Sequence, residues 1–299
     1  MHHKINVSDF DLASTLECGQ AFRWSRDEGT GWFAGVVGRE VWRLRQENDI
    51  LQWHCSRVPP QRDSWRTQDN NSPEIVSELQ HYLALDVSLR DIVATFPADD
   101  ASLRDAVRRH WGLRVLRQEP WETLASFIAS STKQIVQIRQ IVKLLARRFG
   151  EPIGDDFHAF PTVQAIARAS HEQLLECKLG FRAKNLLATA RMIDSGAITF
   201  DTLRSMEHER ALEELTKLPG VGEKIANCVL LFSFGFDQAF PIDVWIERAL
   251  CRLYFPRKRN VTHRQLREFI SSQFGPYAGW AQQYLFFAER TRNKKTRKQ

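Results

Sequence analysis

Between Phe22 and Cys55 short runs of β-branched and aromatic residues alternate with polar positions and are broken by Gly-Thr-Gly and Gly-Arg-Glu, the punctuation of tight turns. Trp42 and Leu44 alternate with Val41, Arg43 and Arg45, a period of two that puts the tryptophan and leucine on one face of a strand. The segment predicts an antiparallel meander. A polar loop from Pro59 to Ser72 follows, and Ser72-Pro73-Glu74 opens a helix by a cap and a first-turn proline, with Ile75, Val76, Leu79 and Leu83 as its apolar positions. Beyond about residue 99 the period changes to three and four: Ile135, Ile138, Val142 and Leu145 mark one helix, closed by Phe149-Gly150. Further helices are expected over 121–130, 182–194, 207–217, 223–234, 244–253, 262–273 and 277–290. Strands first and helices after give an α+β fold. The boundary is placed at Trp111-Gly112, dividing 1–112 from 113–299, and the basic tail 291–299 is expected to be disordered, a solvated terminus or a phosphate contact.

A chain of 299 residues with 43% hydrophobic content can bury one or two cores, which excludes a disordered chain and a disulfide miniature. Ile225 to Phe236, the longest nearly apolar stretch, is too short to span a bilayer and is interrupted by Asn227, Ser233 and Gly235. The start MHHKINVSDF lacks the apolar core of a secretory signal, and the five cysteines are odd in number and scattered, so an intracellular, reduced protein is expected. Its compartment would be cytoplasm or nucleoid in a bacterium and nucleus in a eukaryote. Charge is unevenly divided: residues 1–112 carry 13 Lys/Arg against 17 Asp/Glu, and the rest carry 29 against 19. A basic second part is the footprint of a polyanion-binding surface.

The chemistry concentrates in KLPGVGEK, Lys217 to Lys224, where Pro219 stops one helical pattern and Gly220 and Gly222 permit a tight turn into the next. Such a turn is either plain connection or a row of backbone N–H groups at a helix start suited to a phosphate oxygen. Asp243, after Pro241-Ile242 and before a helical stretch, is by position an N-cap. Lys224 and Cys228 stand four apart and share a helix face, as do Gln282 and Phe286.

LPGVGEK, an apolar helix and then Pro-Ile-Asp resemble the signature of the helix-hairpin-helix glycosylase superfamily. LECGQAFRW at 16–24, LRVLRQEPWETLASFIASS at 113–131, LGFRAKNLLATAR at 179–191 and GPYAGWAQQYLF at 275–286 narrow the likeness to 8-oxoguanine DNA glycosylase, over nearly the whole chain. The resemblance implies an N-terminal sheet domain similar to the TATA-binding protein fold, then an all-helical glycosylase domain. It implies removal of 8-oxoguanine from duplex DNA and an associated lyase activity. Lys224 would be the nucleophile at the sugar C1′, and Asp243 the carboxylate that stabilises positive charge on the sugar. A lysine must be neutral to attack, so its surroundings would have to lower its pKa. Cys228 and Phe286 would sandwich the extruded base, and Gln282 would bond its Watson–Crick edge. The Gly19 carbonyl would accept the N7 hydrogen that 8-oxoguanine has and guanine lacks. Phe181 would wedge into the gap, and Arg182 would face the opposite strand. Each has a plainer alternative: core for Cys228 and Phe286, a turn for Gly19, packing or surface for Phe181 and Arg182.

Three departures stand out. Thr132-Lys133-Gln134 follows Ser130-Ser131 where eukaryotic relatives carry an asparagine run whose first member fills the hole in the duplex. Gln137 takes the place of the arginine that reads the opposite cytosine, so partner discrimination is expected to relax. Trp245 stands where those relatives have a phosphate-facing histidine. The last cysteine is Cys251, so no iron–sulfur cluster of the related glycosylases can be built. The histidines show no metal-ligand spacing, and no organic cofactor is implied; a monovalent cation on the hairpin carbonyls is the one candidate ion. The expected partner is double-stranded DNA containing oxidised guanine, with no membrane, bound by a monomer. The alternatives are a glycosylase for another damaged purine, which would not need Lys224 or the Gly19 and Gln282 pair, and a silent helix-hairpin-helix DNA-binding protein, against which the pairing of Lys224 with Asp243 argues.

Overall fold

Five short strands, β1 (His3–Asn6), β2 (Ser25–Arg26), β3 (Phe33–Val37), β4 (Glu40–Glu47) and β5 (Ile50–Arg57), make one antiparallel sheet in the order β1-β5-β4-β3-β2. The computed structural model describes residues 2–57, 73–258 and 260–296. Register follows the alternation: Leu44 lies opposite Phe33 and Trp53, and Trp42 opposite Gly35 and Cys55. That face buries its aromatics against α1 (Leu12–Glu17) and α2 (Pro73–Tyr82) through Leu12, Leu16, Ile75 and Leu79. Gly35 is needed because the Trp24 ring occupies the space of a Cβ, and Trp24 Nε1 donates to the Tyr82 hydroxyl at 2.8 Å. Val41, on the reverse face, is also buried, against Val36, Ile153 and Ala159. β1 has no counterpart in the sequence expectations. The Pro59–Ser72 loop and the Ser72 cap lie outside the described residues.

The helical part runs α3 (Leu89–Ala94), α4 (Ala101–Arg109), α5 (Pro120–Ser130), α6 (Ile135–Phe149), α7 (Val163–Ala167), α8 (His171–Glu176), α9 (Arg182–Asp194), α10 (Phe200–Arg204), α11 (His208–Thr216), α12 (Glu223–Val229), α13 (Val244–Tyr254), α14 (His263–Gln273) and α15 (Ala278–Thr296). Helix α5 is its axis. Every residue from Trp121 to Ser130 is buried, Glu122 incompletely with its side chain 17% exposed, and α6, α9 and α12 pack on the helix. The helix expected over 223–234 is α-helical to Val229 and continues as a π-helical turn, Leu230–Phe234, where the Phe232 carbonyl accepts from Gln118 N–H at 2.6 Å. Residues 291–296, expected to be open tail, continue α15. The cores do not divide at Trp111-Gly112: Leu89, Ile92, Leu103 and Val107 belong to the helical core, because α4 packs on α15. At Gly112 (φ +92°) the chain crosses itself, with Asp11 N–H donating to the Gly112 carbonyl at 2.8 Å.

Candidate active site

The turn between α11 and α12 is built from behind by α9. Gly220 has φ +79°, and the Asn185 side chain stands 2.6 Å from where its Cβ would be, so only glycine fits. Thr189 donates to the Pro219 carbonyl at 3.1 Å. Gly222 opens α12 as an extended N-cap with open space beside it and without a side-chain cap bond, which leaves first-turn N–H groups facing outward. The turn presents those donors on a rigid frame.

Lys224 lies half-buried in the first turn of α12, and its Nζ sits over the Phe127 ring of α5 at 4.8 Å from the centroid. Phe127 is fixed by stacking on Phe232 at 5.7 Å and by an edge contact with Phe22. Cys228, one turn along, is buried; burial pushes its thiol up to about 11 against the pull of Lys224. The thiol is therefore uncharged at neutral pH, an apolar surface rather than a nucleophile. Asp243 caps α13, accepting from Ile246 N–H at 2.8 Å. Burial nonetheless raises its carboxyl above the ordinary value, outweighing that bond and the Lys224 charge. One cation, one carboxyl of raised proton affinity and one neutral thiol thus share a partly desolvated space.

The opposite wall comes from α15 and the segment after α1. Gln282 is buried; its amide donates to the Pro241 carbonyl at 3.1 Å, while its Oε1 has no partner. A buried acceptor left open costs free energy unless a ligand brings a donor. Phe286 lies half-buried one turn on. Gly19, at φ +97°, faces it: a Cβ there would stand 2.8 Å from Ile135 Cδ1, 3.2 Å from Arg290 Nη1 and 3.5 Å from Phe286 Cε1. Gly19 is therefore more than a turn residue, since any side chain would enter the space between α6 and α15. Its position is held by buried Gln20, which donates to the Thr15 and Arg114 carbonyls at 2.9 and 2.8 Å and accepts from Leu116 N–H at 2.9 Å. Buried Arg114 in turn binds the carbonyls of Asp9, Ala84 and Val87.

A lysine over an aromatic face, a buried carboxyl that feels its charge and a buried amide carbonyl without a partner are features that the matches to known proteins interpret. Residues 3–124 match the model of the 8-oxoguanine DNA glycosylase N-terminal domain, and residues 125–274 that of the HhH-GPD superfamily of base excision DNA repair proteins. The chain is 31% identical to the N-glycosylase/DNA lyase OGG1 of Arabidopsis thaliana, over 96% of this chain and 79% of that one. It is 32% identical to the N-glycosylase/DNA lyase of Saccharomyces cerevisiae, over 95% and 85%. The chain belongs to the 8-oxoguanine DNA glycosylase family. Among solved structures, the 8-oxoguanine glycosylase/lyase of Clostridium acetobutylicum, in complex with duplex DNA containing cytosine opposite 8-oxoguanine, superposes with a TM-score of 0.86 at 30% identity, covering 98% of each chain.

In this 8-oxoguanine DNA glycosylase the remaining sequence candidates fall in two groups. Phe181 (60% exposed) and Trp245 (37%) project aromatic surface to solvent, beside exposed Val244. Thr132 is exposed, with φ +56°. Gln137 is exposed and accepts from Gln134 N–H at 3.1 Å, closing the capping box of α6. Arg182, expected to face the opposite strand, is buried: its guanidinium donates to the Ser131 carbonyl and, at 2.6 Å, to the Thr132 hydroxyl, and lies 4.2 Å from the Phe181 ring centroid. It shapes the 131–132 turn and supports Phe181 from beneath. Phe127 and Gln20 were not among the sequence candidates. Among the described residues no three His, Cys, Asp or Glu side chains are gathered as a metal cluster.

Proposed function

We propose that the chain is a base-excision repair N-glycosylase that removes 8-oxoguanine from duplex DNA and cleaves the strand at the resulting site. What carries this is the convergence of Lys224, Phe127, Cys228 and Asp243 opposite the open Gln282 carbonyl. The extruded base enters between Cys228 and Phe286. Its N1–H and N2–H2 donors meet Gln282 Oε1, and its N7–H meets the Gly19 carbonyl. The Lys224 amine, once deprotonated, attacks C1′ as the glycosidic bond breaks. Asp243 stabilises the positive charge on the sugar and moves protons at that centre. The Schiff base so formed permits β-elimination of the 3′ phosphate.

Gly220 and Gly222 present the hairpin to a phosphate, Phe181 and Thr132 meet the gap left in the duplex, and Gln137 and Trp245 lie on the same DNA-facing side. Every reacting group belongs to the chain, so no iron–sulfur cluster or organic cofactor takes part; a monovalent cation on the hairpin would be structural. The working unit is a monomer, acting wherever the cell's DNA is held. No helix among the described residues is long and apolar enough to cross a membrane.

Borohydride trapping on a labelled duplex containing 8-oxoguanine tests the assignment. Wild type is expected to give a covalent adduct and Lys224→Gln none. Base release without trapping would replace the lysine by activated water, and binding without release would leave a DNA-binding protein.

A further inference from the structure

One turn beyond Phe286 on α15 lies Arg290, whose Nη1 is 3.2 Å from the point where a Gly19 Cβ would stand; Phe286 Cε1 is 3.5 Å from the same point. Nη1 donates to the Glu17 carbonyl at 3.1 Å, which aims the guanidinium along the Gly19 segment. Arg139, one turn beyond Ile135 on α6, is close enough for its charge to act on Arg290, and its own Nε is buried without an acceptor. Burial holds the Arg290 pKa down and Arg139 adds to it, while Cys18 and Glu17 pull the other way. Glu17 acts on Arg290 at longer range, and among the described residues no carboxylate pairs directly with either guanidinium. Two half-buried like charges, offset only in part by Glu17, cost free energy, and a ligand atom carrying negative charge beside them would lower it.

We infer that Arg290 is a specificity residue, its guanidinium donating to the C8 oxygen of the extruded 8-oxoguanine. The inference rests on the proposed function and deepens it. N7–H and C8=O are neighbours on the five-membered ring, so a donor beside Gly19 meets the oxygen while the Gly19 carbonyl takes the hydrogen. When Lys224 Nζ bonds to C1′, the C1′–N9 bond breaks and its electron pair goes to N9. N9 is conjugated with C8=O, so the oxygen shares the charge until a proton neutralises the base. Guanine, with hydrogen at C8, gives Arg290 nothing to bond and leaves the buried donors unsatisfied, which is how a polar site rejects an analogue.

The test measures single-turnover excision of 8-oxoguanine and of 8-thioguanine, which keeps N7–H but offers a weaker acceptor, beside cleavage of a preformed abasic site. In Arg290→Met the ratio of 8-oxoguanine excision to abasic-site cleavage is expected to fall about 10- to 100-fold, the worth of a charge-assisted hydrogen bond. The same ratio for 8-thioguanine is expected to fall less than about threefold, since sulfur is a poor acceptor. Arg290→Gln, which keeps a neutral donor, guards against a folding defect and is expected to lower the 8-oxo to 8-thio preference about three- to tenfold. Equal losses on both lesions, or no loss on 8-oxoguanine, overturn the inference. A wild-type protein that cleaves no abasic site overturns the proposed function instead.

Discussion

Gly19→Ala perturbs one backbone position and separates reading of the base from cutting of the strand. Holding an alanine at φ +97° costs about 1–3 kcal/mol. Its Cβ would stand 2.8 Å from Ile135 Cδ1, an overlap that a packed wall relieves only by shifting, for about a further 1–3 kcal/mol. At roughly 2–4 °C per kcal/mol for a chain of this size, the melting temperature should fall about 5–15 °C. The shift also displaces the carbonyl that meets N7–H, so excision of 8-oxoguanine at 20 °C should drop about 100-fold. Cleavage of a preformed abasic site, where no base is read, should stay within about threefold of wild type, because the Lys224 side of the pocket is built on α12 and α5. Single-turnover kinetics on the two substrates, with calorimetry, measure all three quantities. Adding Ile135→Val removes the clashing methyl and should recover about 1 kcal/mol of stability but little excision. Full recovery of excision in that double variant would make the defect steric and refute a role for the carbonyl.

Asp243→Asn keeps a good helix cap, so the melting temperature should change by less than about 2 °C while excision falls at least about 100-fold; parallel losses in calorimetry and kinetics would reduce Asp243 to a cap. Burial raises the Glu122 carboxyl to about 7 from 4.5, only partly offset by Arg23 at 3.6 Å, so the folded chain keeps a proton that the unfolded chain releases. That stability is complete below about pH 4.5 and is lost as pH rises through about 7, amounting to about 3 kcal/mol by pH 8. Urea unfolding should show this pH dependence in wild type and not in Glu122→Gln; parallel curves would contradict it. Wild type should excise 8-oxoguanine opposite adenine and opposite cytosine at rates within about tenfold, and Gln137→Arg should widen the preference for cytosine about tenfold. An unchanged ratio across the four opposite bases would remove position 137 from the interface.

The meander and the long helices were legible because their periods repeat: Trp42 and Leu44 recur on one sheet face, and Ile138, Val142 and Leu145 on one helix face. β1 escaped because His3-Lys4-Ile5-Asn6 is short and lies at the sheet edge, pairing only with β5 and carrying one apolar residue. Helices α7, α8 and α10, of five or six residues, are too short for a period to show. Lys224 and Asp243 could be named from motif order. Phe127 could not, since an aromatic inside the apolar helix α5 reads as core, and it is core as well as the surface beneath Lys224. Gln20 was equally hidden: nothing local says that its amide will bind carbonyls and an N–H contributed by residues 15, 114 and 116. Arg182 shows the opposite limit, a charge that pattern assigns to the surface and tertiary hydrogen bonding draws inside.

The links made by Gln20 and Arg114 also bear on how the site is assembled from distant parts of the chain. Lys224 and its hairpin belong wholly to the helical half, whereas the Gly19 wall comes from a segment about two hundred residues earlier. Hydrogen bonds spanning 94 to 105 residues of chain tie that segment to Arg114, in the stretch leading into α5, the helix beneath Lys224. A chain in which those bonds were broken would keep its lysine and lose the wall that reads the base. Choice of base therefore depends on long-range folding, whereas the seat of Lys224 over Phe127 lies within the helical half.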